Sequence, residues 1–117
     1  MMKIKLLKSK IHRAMVTDAN LDYVGSISID ENLIKAANLH EFEKVHVLSL
    51  TTGERIETYV IKAPAGSQEI CINGAAAHKI KKNEMVIIVA YGFINESDAI
   101  NHQPTIVHVN ENNIITD

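Results

Sequence analysis

Two runs of the chain alternate apolar and polar residues with a period of two, Lys44 to Leu50 (KVHVLSL) and Arg55 to Lys62 (RIETYVIK). Between them lies Thr51-Thr52-Gly53-Glu54. A two-residue period puts successive side chains on opposite faces, so each run can bury one face only by becoming a strand. Two such runs around a short turn that contains glycine predict an antiparallel hairpin. A sheet solvated on one side, not a bundle of helices, is therefore where this chain must start.

The remaining apolar runs agree. Lys3 to Arg13, Glu69 to Asn73, Met85 to Phe93 and Thr105 to Asn110 are rich in Ile and Val and bounded by turn residues, so they read as further strands. Both prolines, Pro64 and Pro104, fall between runs. Asp30 is placed to cap a short helix through Asn38, because Leu33, Ile34 and Ala37 form one stripe at helical spacing. A second helical turn is expected from Gly74 through Ala75, Ala76 and Ala77. So many short strands in 117 residues point to one all-β domain, a barrel or sandwich with short helices. At 46% apolar residues the chain can form a core and still leave apolar surface for association.

Charge and composition exclude several functions. The net charge is -2 and the twelve Lys and Arg are dispersed, which does not suit a nucleic-acid backbone. The start, MMKIKLLKSKIHR, is basic with no acidic residue before Asp18, as in a transit segment, but it lacks the apolar run of a secretory signal. The most apolar stretch, Met85 to Tyr91, is far shorter than the ~20 residues of a membrane span. A single cysteine, Cys71, rules out an internal disulfide and fits a reducing cytoplasm, and its place in EICIN predicts a buried structural thiol. His12, His40, His46, His78, His102 and His108 include no pair at i, i+4, so no metal site is expected. The five glycines are isolated and form no phosphate loop. Glu41, Glu43 and Lys44 read as a solvated charge cluster.

Four segments stand out together: Lys10-Ile11-His12-Arg13, Tyr23-Val24-Gly25-Ser26, Arg55 with Thr58-Tyr59, and Asn73-Gly74-Ala75-Ala76-Ala77-His78. Each alone has an ordinary reading: a strand charge, a Gly-Ser turn, a β-former, a turn into a helix. As an ordered set, from about Leu7 to about Ala90, they resemble the pyruvoyl-dependent aspartate 1-decarboxylases. The resemblance implies a six-stranded double-psi β-barrel and a homotetramer with active sites between subunits. It also implies self-cleavage into residues 1–25 and 26–117, which in some members needs a maturation factor. In that chemistry the Ser26 hydroxyl attacks the Gly25 carbonyl and an ester replaces the peptide bond. Elimination and hydrolysis then leave a covalent pyruvoyl group where Ser26 stood. Glycine suits the cleavage site because, lacking Cβ, it tolerates unusual dihedrals and close approach.

The same resemblance assigns the remaining roles. The pyruvoyl ketone forms a Schiff base with L-aspartate and accepts the electrons left on Cα when carbon dioxide departs, giving β-alanine for pantothenate and coenzyme A. Arg55 and Lys10 supply cations for the two carboxylates, and His12, on Lys10's face of the strand, orients substrate or moves a proton. Tyr59 is the proton donor, since a phenol keeps its proton at neutral pH. Thr58 stabilises the oxyanion of self-cleavage. Asn73, Gly74, Ala75 and Ala76 close the substrate pocket. Thr58 and Tyr59 are neighbours on one strand and should face opposite ways. Either a bulge re-aims one of them, or they serve different copies of a site between subunits. Two other readings remain open at this level: a pyruvoyl decarboxylase of another acidic amino acid such as glutamate, and a non-catalytic barrel used for assembly.

Overall fold

A computed structural model describes residues 1–116. Its elements run β1 (Lys3–Met15), β2 (Asp18–Asn20), β3 (Ser26–Asp30), α1 (Glu31–Ala36), β4 (Lys44–Ser49), β5 (Arg55–Ala63), β6 (Ile70–Asn73), β7 (Met85–Asn95) and β8 (Thr105–His108). Short 3-10 helices follow β6 at Gly74–His78 and β7 at Glu96–Asn101. The strands pair in the order β2-β6-β3-β5-β4-β7-β1-β8. The class is all-β with short helices, as the alternation requires.

The expected hairpin is β4 and β5, antiparallel with Lys44 opposite Tyr59 and Leu48 opposite Arg55. Its register runs without a break, so no bulge re-aims Thr58 or Tyr59. Thr58 lies opposite the fully buried Val45 and faces inward, while Arg55, Glu57 and Tyr59 face out. β7 joins β4 to β1, and β3 lies between β5, parallel, and β6, antiparallel. Inward residues of these strands, among them Ile11, Ile27, Ile29, Val45, Val47 and Ile88, form one buried cluster with Leu33 and Ile34 of α1.

The helix signal at Asp30 holds, and its carboxylate does more than cap. It accepts from Asn32 N at 2.8 Å, Gly66 N at 3.0 Å and Gln68 N at 2.8 Å, tying α1 to the turn before β6. The charge cluster reading changes at Glu43. Both its carboxylate oxygens accept from Lys8 Nζ at 3.0 Å, so it is a half-buried link between β1 and the segment before β4. The strand expected at Thr105 to Asn110 is β8, and it runs parallel to β1 from Ser9↔Thr105 to His12↔His108. The buried Asn113 amide then binds Met15 O and Gln68 O, each at 2.9 Å.

Asp30→Ala would strand three backbone donors at a buried site, and it should lower the stability to urea unfolding by roughly 3 kcal/mol. Circular dichroism through a urea titration measures it.

Candidate active site

Ser26 opens β3 and is fully buried. Its neighbour across the β3–β6 ladder is Asn73. That pairing brings the Asn73 amide onto two hydroxyls: Nδ2 donates to Ser26 Oγ at 3.0 Å and to Ser28 Oγ at 2.9 Å. Ser26 Oγ in turn donates to the Val24 carbonyl at 3.0 Å. Cys71 is buried, as its alternation predicted, and Sγ donates to Asn73 Oδ1 at 3.2 Å. Burial, with Asp18 and Glu69 adding negative charge, pushes the thiol above its ordinary pKa, so its proton stays on sulfur.

The backbone around the Gly25-Ser26 bond is held by contact as well. Gly74, at φ 71°, begins the 3-10 helix after β6, and a Cβ there would lie 2.6 Å from Gly25 Cα and 3.0 Å from the Tyr23 carbonyl. Only glycine fits. Gly25 itself is not among the residues with positive φ, and a Cβ on it would meet nothing within 4 Å. The special backbone expected at Gly25 is thus found at its neighbour in space, Gly74. Counting back along the parallel β3–β5 ladder from Ile27↔Val60 sets Ser26 level with Tyr59 and Gly25 level with Thr58. Beside this cluster lies a cavity of about 420 Å³ lined by Thr17, Asp18, Tyr23, Ser28, Cys71 and Asn73.

The cations occupy a different part of the surface. Lys10 pairs with Val89, Val89 with His46, and His46 with Glu57, while Ile87 pairs with Leu48 and Leu48 with Arg55. Cross-strand partners share a face. Lys10 and Arg55 therefore stand at opposite borders of one outward face, about 14 Å apart across the strands at ~4.8 Å per strand and offset along them by two residues, over a floor of Val89, Ile87 and Leu48. His12 stays on Lys10's face, because β1 is regular against β8 through His12↔His108 and Ile11 between them is buried. Its ring meets His108 edge-on at 5.5 Å. Partial burial and the charges of Lys10, His108 and Arg13 hold the His12 pKa below its ordinary value.

Arg55 has partners that the sequence did not reveal. Nε donates to His46 Nδ1 at 3.4 Å and Nη2 to the Tyr91 hydroxyl at 3.3 Å, and the two rings meet edge-on at 5.3 Å. Lys44 Nζ lies 2.7 Å from Glu57 Oε1, which holds the Glu57 carboxyl below its ordinary pKa. One chain thus gathers Ser26, Gly25, Asn73 and Gly74, with Thr58 level with Gly25 and Tyr59 level with Ser26, while Lys10, His12 and Arg55 lie farther off on the outward face. Three strands, β5, β4 and β7, lie between Lys10 on β1 and Ser26 on β3, and among the described residues no hydrogen bond joins the two residues. Ala75 is exposed and Ala76 half-buried at the 3-10 turn. Among the described residues no three His, Cys, Asp or Glu side chains cluster as metal ligands, and no helix is long and apolar enough to cross a membrane.

Comparison with known proteins adds a family to this geometry. The family model described as aspartate decarboxylase matches residues 2–116. The chain belongs to the aspartate decarboxylase family. It is 58% identical to the aspartate 1-decarboxylase of Campylobacter fetus over 99% of this chain and 100% of that protein. It is 60% identical to that of Campylobacter concisus over 97% of each. A third relative, from Dehalococcoides mccartyi, is 56% identical over 95% of this chain and 90% of its own.

Two outcomes follow from this geometry. An NMR titration of His12 should place its midpoint below 6.5, in keeping with its lowered pKa. Gly74→Ala should lower the thermal midpoint by several degrees, because the new methyl meets the Gly25 backbone and a left-handed φ costs a non-glycine residue about 1 kcal/mol or more.

Proposed function

We propose that the chain is the precursor of a pyruvoyl-dependent enzyme that cleaves itself between Gly25 and Ser26 and then converts L-aspartate to β-alanine and carbon dioxide. The observation that carries this reading is the buried Ser26 hydroxyl, next to the Gly25 carbonyl and held by Asn73 and the Val24 carbonyl. Attack by Oγ on the Gly25 carbonyl carbon forms an ester and breaks the peptide C–N bond, the amine taking up the hydroxyl proton. Thr58, level with Gly25, is the donor for the oxyanion that forms meanwhile. Loss of the Ser26 Cα proton then breaks the Cβ–Oγ bond and releases residues 1–25 with a new carboxylate. Water from the adjacent cavity hydrolyses the dehydroalanine, ammonia leaves, and a pyruvoyl group heads residues 26–117.

The pyruvoyl ketone supplies the sink for the electrons released with carbon dioxide. The rest is work for side chains. Arg55, steadied by His46 and Tyr91, clamps one carboxylate with paired N–H groups, and Lys10 offers a point charge to the other. Leu48, Ile87 and Val89 give the substrate an apolar floor that strengthens both contacts. Tyr59 keeps a proton to return to carbon.

Because the cationic face and Ser26 are set apart within one chain, the complete site takes Lys10 and Arg55 from one subunit and Ser26 from its neighbour in a homotetramer. Exposed Leu21, Tyr23 and Val24 beside the cleavage site suit that contact. The setting that fits this chemistry is β-alanine supply for pantothenate in the cytoplasm.

The intact mass of purified protein, with and without a cell extract that can supply a maturation factor, is the primary test. Fragments 1–25 and 26–117 are expected, the second reactive toward carbonyl reagents; a chain that stays whole under both conditions would overturn the reading. Ser26→Ala should fold, remain one chain and make no β-alanine. Tyr59→Phe separates the two stages: cleavage should survive, while turnover falls by about 100-fold or more, the usual worth of a positioned general acid. Arg55→Ala should raise KM for aspartate through the loss of charge-assisted hydrogen bonds worth roughly 1.5 to 3 kcal/mol each. Unchanged turnover at low aspartate would remove Arg55 from the site.

A further inference from the structure

An asparagine amide can sit in either of two orientations related by a half-turn, and at Asn73 the choice decides what reaches the nucleophile. As found, both Nδ2 hydrogens go to hydroxyl oxygens, Ser26 Oγ at 3.0 Å and Ser28 Oγ at 2.9 Å. Turned over, the amide would present its oxygen to both hydroxyls and its N–H groups to sulfur. Ser26 could then donate to Oδ1 and release the Val24 carbonyl. The two serines do not settle the choice, because a hydroxyl accepts or donates with equal ease. Cys71 tips it, because turning the amide over would take the near acceptor away from its S–H group. Cys71 Sγ lies 3.2 Å from Oδ1, against 4.0 Å from its other acceptor, the Ile72 carbonyl.

We propose that Cys71 is a positioning residue for self-cleavage, its S–H group holding the Asn73 amide so that an N–H points at Ser26 Oγ. This rests on the cleavage reading above. Sulfur is suited to the task because burial, Asp18 and Glu69 keep the proton on it, so that it acts as donor. Its backbone position is set independently: Cys71 pairs with Ser28 across one ladder and with Asp18 across the other. An N–H aimed at Oγ stabilises the negative charge that the oxygen gains as its proton leaves, and again as the Cβ–Oγ bond breaks and Oγ departs with the Gly25 carboxylate. In the reversed orientation the amide oxygen would repel that charge.

Three substitutions separate donation from packing. Cys71→Ser keeps a donor of similar reach, Cys71→Val keeps apolar volume without a donor, and Cys71→Ala keeps neither. The rate of Gly25-Ser26 cleavage, followed by intact mass on freshly made chain, should stay within about twofold of the parent for Ser and fall by roughly fivefold to tenfold for Val and Ala, the worth of one modest hydrogen bond. Thermal midpoints in parallel identify any variant that is slow only because it is unfolded. Parent-like cleavage in Cys71→Val, or a well-folded Cys71→Ser as slow as Cys71→Ala, would overturn the proposal and leave Cys71 a packing residue.

A second readout is independent of cleavage. Solvent exchange of the Asn73 side-chain amide protons, read by NMR in the Ser26→Ala chain, should quicken with Cys71→Ala and Cys71→Val but not with Cys71→Ser. Equal exchange in all three overturns the proposal. A parent chain that never cleaves yet shows this exchange pattern would sink the cleavage reading and leave the amide network standing.

Discussion

β3 is clasped on both sides, by β5 in parallel and by β6 in antiparallel register, and the chemistry proposed at Ser26 depends on that clasp. The antiparallel side sets Ser26 opposite Asn73, and the parallel side brings Gly25 level with Thr58. A slip of one residue in either ladder would turn every side chain of β3 to the other face and take the hydroxyl away from its partners. The contact between Gly74 and the Gly25 backbone closes the remaining freedom, since β6 ends where the 3-10 helix begins and its first residue lies against Gly25.

From this follows a division of the molecule into an inner set and an outer set of functional groups. Thr58 faces the core side, opposite Val45, while Tyr59 shares the outward face with Arg55. Regular alternation in β5 puts the two on opposite faces without a bulge, as the two stages of the proposed chemistry ask. The outward face has the make-up expected of a site for a small dianion: cations at the borders, aliphatic side chains between them, and His46 with Tyr91 holding the arginine in place. Its separation from Ser26 within one chain makes association between chains part of the proposed chemistry.

Much of the fold was legible. The β4–β5 hairpin, the Asp30 cap and the turn at Gly74 each rest on local rules, an alternation, a side-chain acceptor and a residue without Cβ, so a short window suffices to see them. β3 was missed although Ser26-Ile27-Ser28-Ile29-Asp30 alternates with a period of two, because five residues between a Gly-Ser turn and a helix cap make a short window. β2 is three residues long, too short for any period. The ties made by the tail, β8 on β1 and Asn113 on Met15 and Gln68, join residues far apart in sequence and leave no local trace.

The sequence by itself determined the all-β class, the ordered set of segments that marks the family, and the chemical character of the groups: a serine after a glycine, two cations, a phenol, an amide. These are properties of residue type and spacing, which no folding event alters. Only the tertiary structure decided which groups meet. It replaced a solvated Glu43 with a paired one, moved the demanding glycine conformation from Gly25 to Gly74, gave Arg55 its partners His46 and Tyr91, and brought Cys71 and Ser28 to Asn73. Strand order and register make these contacts, and a period of two residues says which face a side chain takes but not what stands opposite it.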